Sequence, residues 1–289
     1  MPGSDDLDFE LIREPLDTLF IAMGNKTERE WPSHLEAARG AQPLVLLLVR
    51  VSEVTYRTVR SLCTDKPSDP FHRREYALSA LPLARTLADT LCTLVLLFND
   101  PLTNARWYWA SGWREIWENV DRCRAEYGDD PTWSQWFAER EDFLRNAAVE
   151  WGVTQEEAAD PTTIRYWPLP GKMFKQTSLP EEKRQFLKYV NDWLYRKLSA
   201  ASHLSAPGLI IRGGHLFPRD DREARDRDLD KYRSVFFFTT LTLSIALLSE
   251  VEVAVRFELA DRAKYVWTVL IEYWGEAKEL YDRRYRALL

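Results

Sequence analysis

One arginine and one histidine, Arg196 and His203, have the residue types and the spacing of a metal-independent phosphodiesterase site. They are seven residues apart in a segment of helical periodicity, so an α-helix places them within about 20° of each other. An imidazole can accept or return a proton near neutral pH, and a guanidinium can hold a phosphate oxygen as charge builds on it. RNA supplies its own nucleophile, the 2′-hydroxyl. The alternative is an exposed arginine and histidine that share a helix face without a catalytic role.

The helix that carries this pair has one apolar face and one polar face. The pair lies opposite the apolar positions, which are Phe186, Val190, Trp193, Leu194, Leu198 and Ala201. Ser199 is on the polar face, and Lys197 adds a second positive charge beside Arg196. We therefore predict Arg196 and His203 as catalytic residues, with Lys197 and Ser199 in supporting positions.

Two further charged residues, Arg85 and Asp89, are predicted to support the site. They are four apart and are the only charged residues between Tyr76 and Asn99, in a helix that is apolar nearly all round. An unpaired charge in such a helix costs several kcal/mol, so we expect the two to pair with each other or with another helix. One interpretation is an internal ion pair that fixes helix register. The other places them beside the histidine as a second layer that positions the imidazole.

The segment Arg196-KLSAAS-His203 resembles the R-x4-6-H signature of HEPN-type ribonucleases. The resemblance implies an all-helical fold, a dimer with two motifs facing across a groove, and RNA cleavage that leaves a 2′,3′-cyclic phosphate. Many members of that superfamily are toxins or antiphage-defence effectors. The residue after the arginine is often Asn, Asp or His in the family, whereas here it is Lys197.

The segment from about 77 to 207 also resembles a broad, poorly characterised bacterial family of helical proteins. The residues that carry this likeness are Arg85 and Asp89, followed by Tyr195-Arg196-Lys197-Leu198-Ser199 and His203. The likeness implies no established activity.

The elements that must position these residues are helices. Strand-like alternation persists nowhere, and the pattern predicts an all-α, multi-helix bundle of six to eight mostly long helices. We expect an N-terminal extension over 1–30 and a single helical domain over 31–289, with an irregular insert at 153–178 and a charged loop at 207–229. Ser178 is predicted to cap the helix that leads to the arginine. Asp130 and Pro131 form a second helix start.

Charge and reactive residues limit the function classes. The formal charge of −6 argues against broad, nonspecific coating of nucleic acid. Phosphate-binding glycine loops are absent, and four histidines without an E-x-x-H pattern do not indicate a metal site, so neither a cofactor nor a metal is predicted. Three dispersed cysteines and an acidic N-terminus without an apolar signal core favour the cytoplasm. The apolar run 234–249 is shorter than a membrane span and predicts a buried core helix.

Tryptophan is abundant, at 12 residues, and three of them form a stripe at Trp109, Trp113 and Trp117. Such a stripe could stack bases, but packing against neighbouring helices is the interpretation we favour. Two functions follow from the sequence. One is a HEPN-like endoribonuclease with RNA as substrate and a homodimer or a protein as partner. The other is a noncatalytic helical scaffold or regulatory protein, in which the same residues make interface hydrogen bonds.

Overall fold

The computed structural model describes residues 10–64, 74–195 and 222–289, and within these residues the fold is all-α without strands. The predicted class is therefore confirmed, but the described part alone has eleven α-helices rather than six to eight. Two reasons explain the higher number. Short helices form inside the insert 153–178, and the C-terminal segment is divided into two helices at Trp274.

The helices are numbered here in chain order. Their bounds are α1 Glu10–Arg29, α2 Gln42–Cys63, α3 Ala80–Leu97, α4 Pro101–Tyr127, α5 Ser134–Glu150, α6 Gln155–Ala159, α7 Pro170–Met173, α8 Glu181–Val190, α9 Arg222–Val255, α10 Ala260–Tyr273 and α11 Gly275–Leu280. Four 3₁₀-helices are at Ser33–Ala41, Arg74–Ser79, Pro131–Trp133 and Pro161–Thr163, and π-helical turns are at Asn191–Tyr195 and Tyr281–Tyr285.

The chain divides into two compact units, where the sequence predicted one domain. The larger unit comprises residues 1–36, 42–96 and 170–289, and the smaller unit comprises 37–41 and 97–169. Within the larger unit, α1 packs against α2 and α10. Its side chains Ile12, Leu16 and Phe20 are buried. The residues predicted as an N-terminal extension thus include a helix that belongs to the core of the larger unit.

The central helix of the larger unit is α9. It packs against α2 and α10, and residues 237–252 of this helix are all buried or nearly so. Two helical stretches, 75–97 and 226–255, are long and apolar enough to cross a membrane, but 72% and 83% of their apolar windows are buried inside the fold. These figures agree with the predicted core helix at 234–249.

The helix starts predicted from capping residues were partly right. Asp130 accepts the backbone N–H of Thr132 at 2.9 Å, with Pro131 at the first helical position. The expected cap at Ser178 was wrong, because α8 begins at Glu181 after Pro180 and has no side-chain cap hydrogen bond. Part of the predicted charged loop is also helical, since α9 begins at Arg222.

Candidate functional site

The predicted catalytic pair and its two neighbours lie outside the described residues. Arg196, Lys197, Ser199 and His203 all fall in the segment 196–221. The structure describes the chain up to the π-helical turn Asn191–Tyr195, which ends one residue before the arginine. The described residues that bear on the predicted site are therefore α8 with this turn, which lead into the arginine, and the predicted supporting residues Arg85 and Asp89 on α3.

A buried ion pair at the C-terminus holds α8 in place. The Arg284 guanidinium donates from Nε and Nη2 to the two carboxylate oxygens of Glu250, both at 2.7 Å. The two side chains are only 3% and 2% exposed. Arg284 Nη1 also reaches Glu182 on α8 at 3.5 Å, and the guanidinium lies 5.1 Å from the ring centre of Phe186. One arginine thus connects α9, α8 and the C-terminal π turn.

Stacked side chains join the two π-helical turns to the end of α8. Arg283, in the C-terminal turn, stacks over the Tyr189 ring at 4.3 Å, and Tyr189 stacks on Trp193 at 5.7 Å. Asn191 and Leu194 of the first turn are buried. The chain that runs into Arg196 is therefore fixed by packing on one side and by a cation–π contact on the other.

Arg85 and Asp89 pair with each other, as the sequence predicted, but loosely. Arg85 Nε lies 3.8 Å from Asp89 Oδ2. The expected full burial was wrong. The two side chains are 25% and 37% exposed and lie on the one face of α3 that is partly open to solvent. The second oxygen, Asp89 Oδ1, is buried and accepts no hydrogen bond from the described residues.

Burial raises the pKa of Asp89 to about 6, while the charge of Arg85 acts in the opposite direction. A carboxyl group with this pKa exchanges its proton close to neutral pH. Asp89 Oδ1 has no hydrogen-bond partner among the described residues and is able to accept one.

The Asp89→Asn variant should reveal this pKa in the pH dependence of stability. A raised pKa means that the folded wild-type protein binds the proton more tightly, so ionisation destabilises it as pH rises from about 4 to about 6. We expect the variant to gain about 1 kcal/mol relative to wild type between pH 4 and pH 7, a value reduced for the exposure of the group. Urea unfolding at several pH values measures it. A constant difference across that range would contradict the raised pKa.

The net negative charge of the chain comes from the smaller unit. That unit has 14 acidic residues, eight arginines and no lysine, which gives a formal charge of −6, equal to that of the whole chain. The larger unit has 31 acidic and 31 basic residues and is formally neutral. Within it, the stretch from Lys172 to Arg219 has nine basic and three acidic residues and includes the predicted catalytic pair. The overall acidity therefore says little about the part of the chain that carries the pair.

Other reactive side chains serve the fold. All three cysteines are free, and burial raises the pKa of Cys63 to about 12 and that of Cys92 further, so both thiols stay protonated near neutral pH. His34 bonds the backbone oxygen of Ala254 at 3.1 Å through Nε2. Among the described residues, no cluster of three or more His, Cys, Asp or Glu side chains could hold a metal ion.

The tryptophan stripe on α4 packs as predicted. Trp113 is 4% exposed, and its indole N–H donates to the backbone oxygen of Leu144 at 2.8 Å, which joins α4 to α5. Trp109 packs against Trp151 with ring centres 5.2 Å apart, and Trp117 lies against the same core. In the larger unit, Trp267 is buried and donates to Ser249 Oγ at 2.9 Å.

The buried pair of Glu250 and Arg284 was not expected from the sequence. A signal for it existed in the sequence, because Glu250 directly follows the apolar run 234–249, which predicts a buried helix. A carboxylate at such a position requires a cationic partner. The partner is 34 residues away, and local periodicity does not identify it.

Comparison with models of known protein families, with curated proteins and with solved structures finds no match for this chain.

Proposed function

We propose that this protein is a HEPN-like, metal-independent endoribonuclease that acts in the cytoplasm as a toxin or antiphage-defence effector. The observation that supports it most is the distribution of charge. The stretch from Lys172 to Arg219 carries a formal charge of +6 and contains Arg196 and His203, while the excess acidity belongs to the other unit. Phosphate backbones bind to such basic stretches.

The proposed reaction uses the 2′-hydroxyl of RNA as nucleophile. His203 removes its proton, the 2′-oxygen forms a bond to phosphorus, and the bond from phosphorus to the 5′-oxygen breaks. The leaving 5′-oxygen takes up a proton, so the products are a 2′,3′-cyclic phosphate and a 5′-hydroxyl end. Arg196 stabilises the charge that develops on the non-bridging oxygens. No metal takes part.

Arg85 and Asp89 are proposed as positioning residues for this site. The free Oδ1 of Asp89 would accept a hydrogen bond from the imidazole, which fixes the ring and its tautomer. Burial favours the protonated form of this carboxyl group, and the charge of Arg85 acts against it in favour of the ionised form. Lys197 and Ser199 would contact the RNA backbone from the polar face of the same segment.

The test is cleavage of a single-stranded RNA by the purified chain in EDTA. We expect His203→Ala and Arg196→Ala each to lower the cleavage rate by about 10²–10⁴-fold, the range typical of a lost general base or oxyanion donor. Matched controls are His72→Ala and Arg145→Ala, the latter an exposed arginine on α5. A 2′-deoxy substitution at the cleaved position should block the reaction.

Equal cleavage by wild type and both site variants would assign any activity to a contaminant or to other residues. Asp89→Asn distinguishes a positioning role from a structural one. We expect a smaller loss than for His203→Ala, together with a displaced pH optimum, because only the support of the imidazole changes. An unchanged pH profile at reduced rate would indicate a purely structural effect.

A second candidate is a noncatalytic helical scaffold or regulatory protein. The observation that favours it is an exposed apolar stripe on α2, where Leu47 and Val54 are 49% and 65% exposed. Absence of cleavage in every preparation, with an intact helical circular dichroism spectrum, would support this candidate instead.

A further inference from the structure

Three side chains of the larger unit form a stack where α8 runs towards the predicted catalytic arginine. The Arg283 guanidinium lies over the Tyr189 ring at 4.3 Å. The rings of Tyr189 and Trp193 are nearly parallel, with 5.7 Å between their centres and 12° between their planes. We call Arg283, Tyr189 and Trp193 the aromatic stack. Tyr189 and Trp193 are both partly exposed, so the stack is open to solvent in part.

Trp193 is less buried than its place in the sequence pattern predicts. Three other members of the predicted apolar face, Phe186, Val190 and Leu194, are exposed by 5% or less. The π-helical turn Asn191–Tyr195 changes the register of the helix at this point, which accounts for the difference. Single π-helical turns are rare and occur frequently at functional sites.

The indole of Trp193 has unused binding capacity in the part of the chain that the structure describes. Tyr189 is the one described ring that stacks on it, and its N–H donates to no described acceptor. The buried indoles of Trp113 and Trp267 differ, since each donates a hydrogen bond to a neighbouring helix. A partly open indole is a surface on which a nucleobase stacks, because every base has a π-face of its own.

The chain itself limits the distance between the stack and the predicted catalytic arginine. Trp193 precedes Arg196 by three residues. Consecutive Cα atoms are 3.8 Å apart, so these two Cα atoms are at most about 11 Å from each other in any conformation. A base on the indole therefore belongs to a nucleotide within a few steps of the phosphate that Arg196 would hold.

Charged side chains beside the stack are paired with each other. Arg283 contacts Glu279 at 2.6 Å, and Lys188 contacts Asp192 at 2.8 Å. A phosphate backbone gains little from cations that are already paired, so its attraction comes from the other basic residues of the stretch 172–219. The stack is therefore suited to the base of a nucleotide rather than to its phosphate.

We infer that Tyr189 and Trp193 form a stacking site for the base of an unpaired RNA nucleotide close to the cleaved phosphate. The choice of RNA as ligand rests on the proposed ribonuclease function. The inference adds that the protein takes single-stranded RNA of any sequence, because stacking is open to all four bases. Bases inside a duplex are already stacked on each other and do not reach the indole.

The test is binding of a fluorescent, single-stranded 2′-O-methyl RNA of about 12 nucleotides to the full chain, measured by anisotropy. The methyl group blocks the nucleophile, so binding is measured without cleavage. We expect Trp193→Ala to weaken binding by about 5- to 100-fold, the range for one lost stacked base, and Trp193→Phe to retain most of it. Tyr265→Ala is the matched control, because Tyr265 is 50% exposed on α10 of the same unit and should not affect binding.

A series of RNAs with one abasic nucleotide each locates the stacked base. At one position, the abasic RNA should bind the wild-type chain more weakly by a similar factor, and Trp193→Ala should bind it as well as the intact RNA. Equal affinity of the wild-type chain for every member of the series would overturn the stacking site without any variant.

The stacking site and the nuclease can fail separately. Wild-type binding that Trp193→Ala leaves unchanged would overturn the stacking site, even in a chain that cleaves unmodified RNA through Arg196 and His203. Absence of binding by the wild-type chain would overturn it as well. Binding that depends on Trp193, in a chain that cleaves no RNA, would support the stacking site and contradict the nuclease. Circular dichroism should show equal helicity in all variants.

Discussion

Replacing Glu250 by alanine is expected to lower the free energy of unfolding by about 3–5 kcal/mol, because the Arg284 guanidinium is left buried without its main partner. The side chains of this pair are 3% and 2% exposed, and two hydrogen bonds of 2.7 Å join them. Burial lowers the pKa of Arg284, but the hydrogen bonds and charge of Glu250 raise it above its ordinary value, so the arginine stays charged. Urea unfolding followed by circular dichroism measures the change.

Two controls separate the pair from its surroundings. Glu182→Ala removes the exposed carboxylate, 68% accessible and 3.5 Å from the same guanidinium, and should cost less than about 1 kcal/mol. The double variant Glu250→Met with Arg284→Met removes both charges and should be far more stable than Glu250→Ala. A double variant as unstable as the single one would mean that packing, rather than the unpaired charge, determines the loss.

Replacing Trp113 by alanine is expected to cost about 3–5 kcal/mol in the smaller unit, the range for removing a large buried aromatic side chain. Trp113 is 4% exposed and packs in the core that also contains Phe137 and Leu144. Its indole N–H is the donor to the Leu144 carbonyl, so the substitution also leaves a buried acceptor without its bond. The readout is thermal unfolding monitored by near-ultraviolet circular dichroism.

Trp113→Phe keeps a ring in the core and removes only the hydrogen bond and part of the volume, so the expected cost falls to about 1–3 kcal/mol. A surface control on the same helix is Glu115→Ala, which should change stability by less than about 0.5 kcal/mol. If Trp113→Ala lowered the free energy of unfolding no more than Glu115→Ala, the conclusion that this indole stabilises the packing of α4 on α5 would be incorrect.

The local parts of the fold could be predicted because they depend on neighbouring residues. The bounds of α4 follow from Pro101 at its start and Gly128 after its end, and the start at Asp130 follows from its side chain. The division into two units depends on contacts far apart in sequence, so periodicity did not reveal it. The break at Trp274, with an extended backbone between α10 and α11, was likewise not expected.

In the candidate site too, local contacts could be predicted from the sequence and long-range contacts could not. The pairing of Arg85 with Asp89 followed from their spacing of four residues, which places them on one helix face. Their partial exposure did not, because an apolar helix gives no sign of which face its neighbours leave open. The buried partner of Glu250 was not predicted either. Arg284 lies among the charged residues Asp282, Arg283 and Arg286, which suggest a solvent-exposed segment, although its own side chain is buried. Arg196 and His203 stay predictions from the sequence.

The division into units determines the order in which the chain can acquire its structure during synthesis. The smaller unit is complete once residue 169 has emerged. The larger unit waits, because α1 packs against α10 and His34 bonds Ala254, 220 residues later. The N-terminal helix therefore stays without one of its final neighbours, α10, until translation is nearly finished, and the side of α1 that packs on α10 stays uncovered by it throughout that interval.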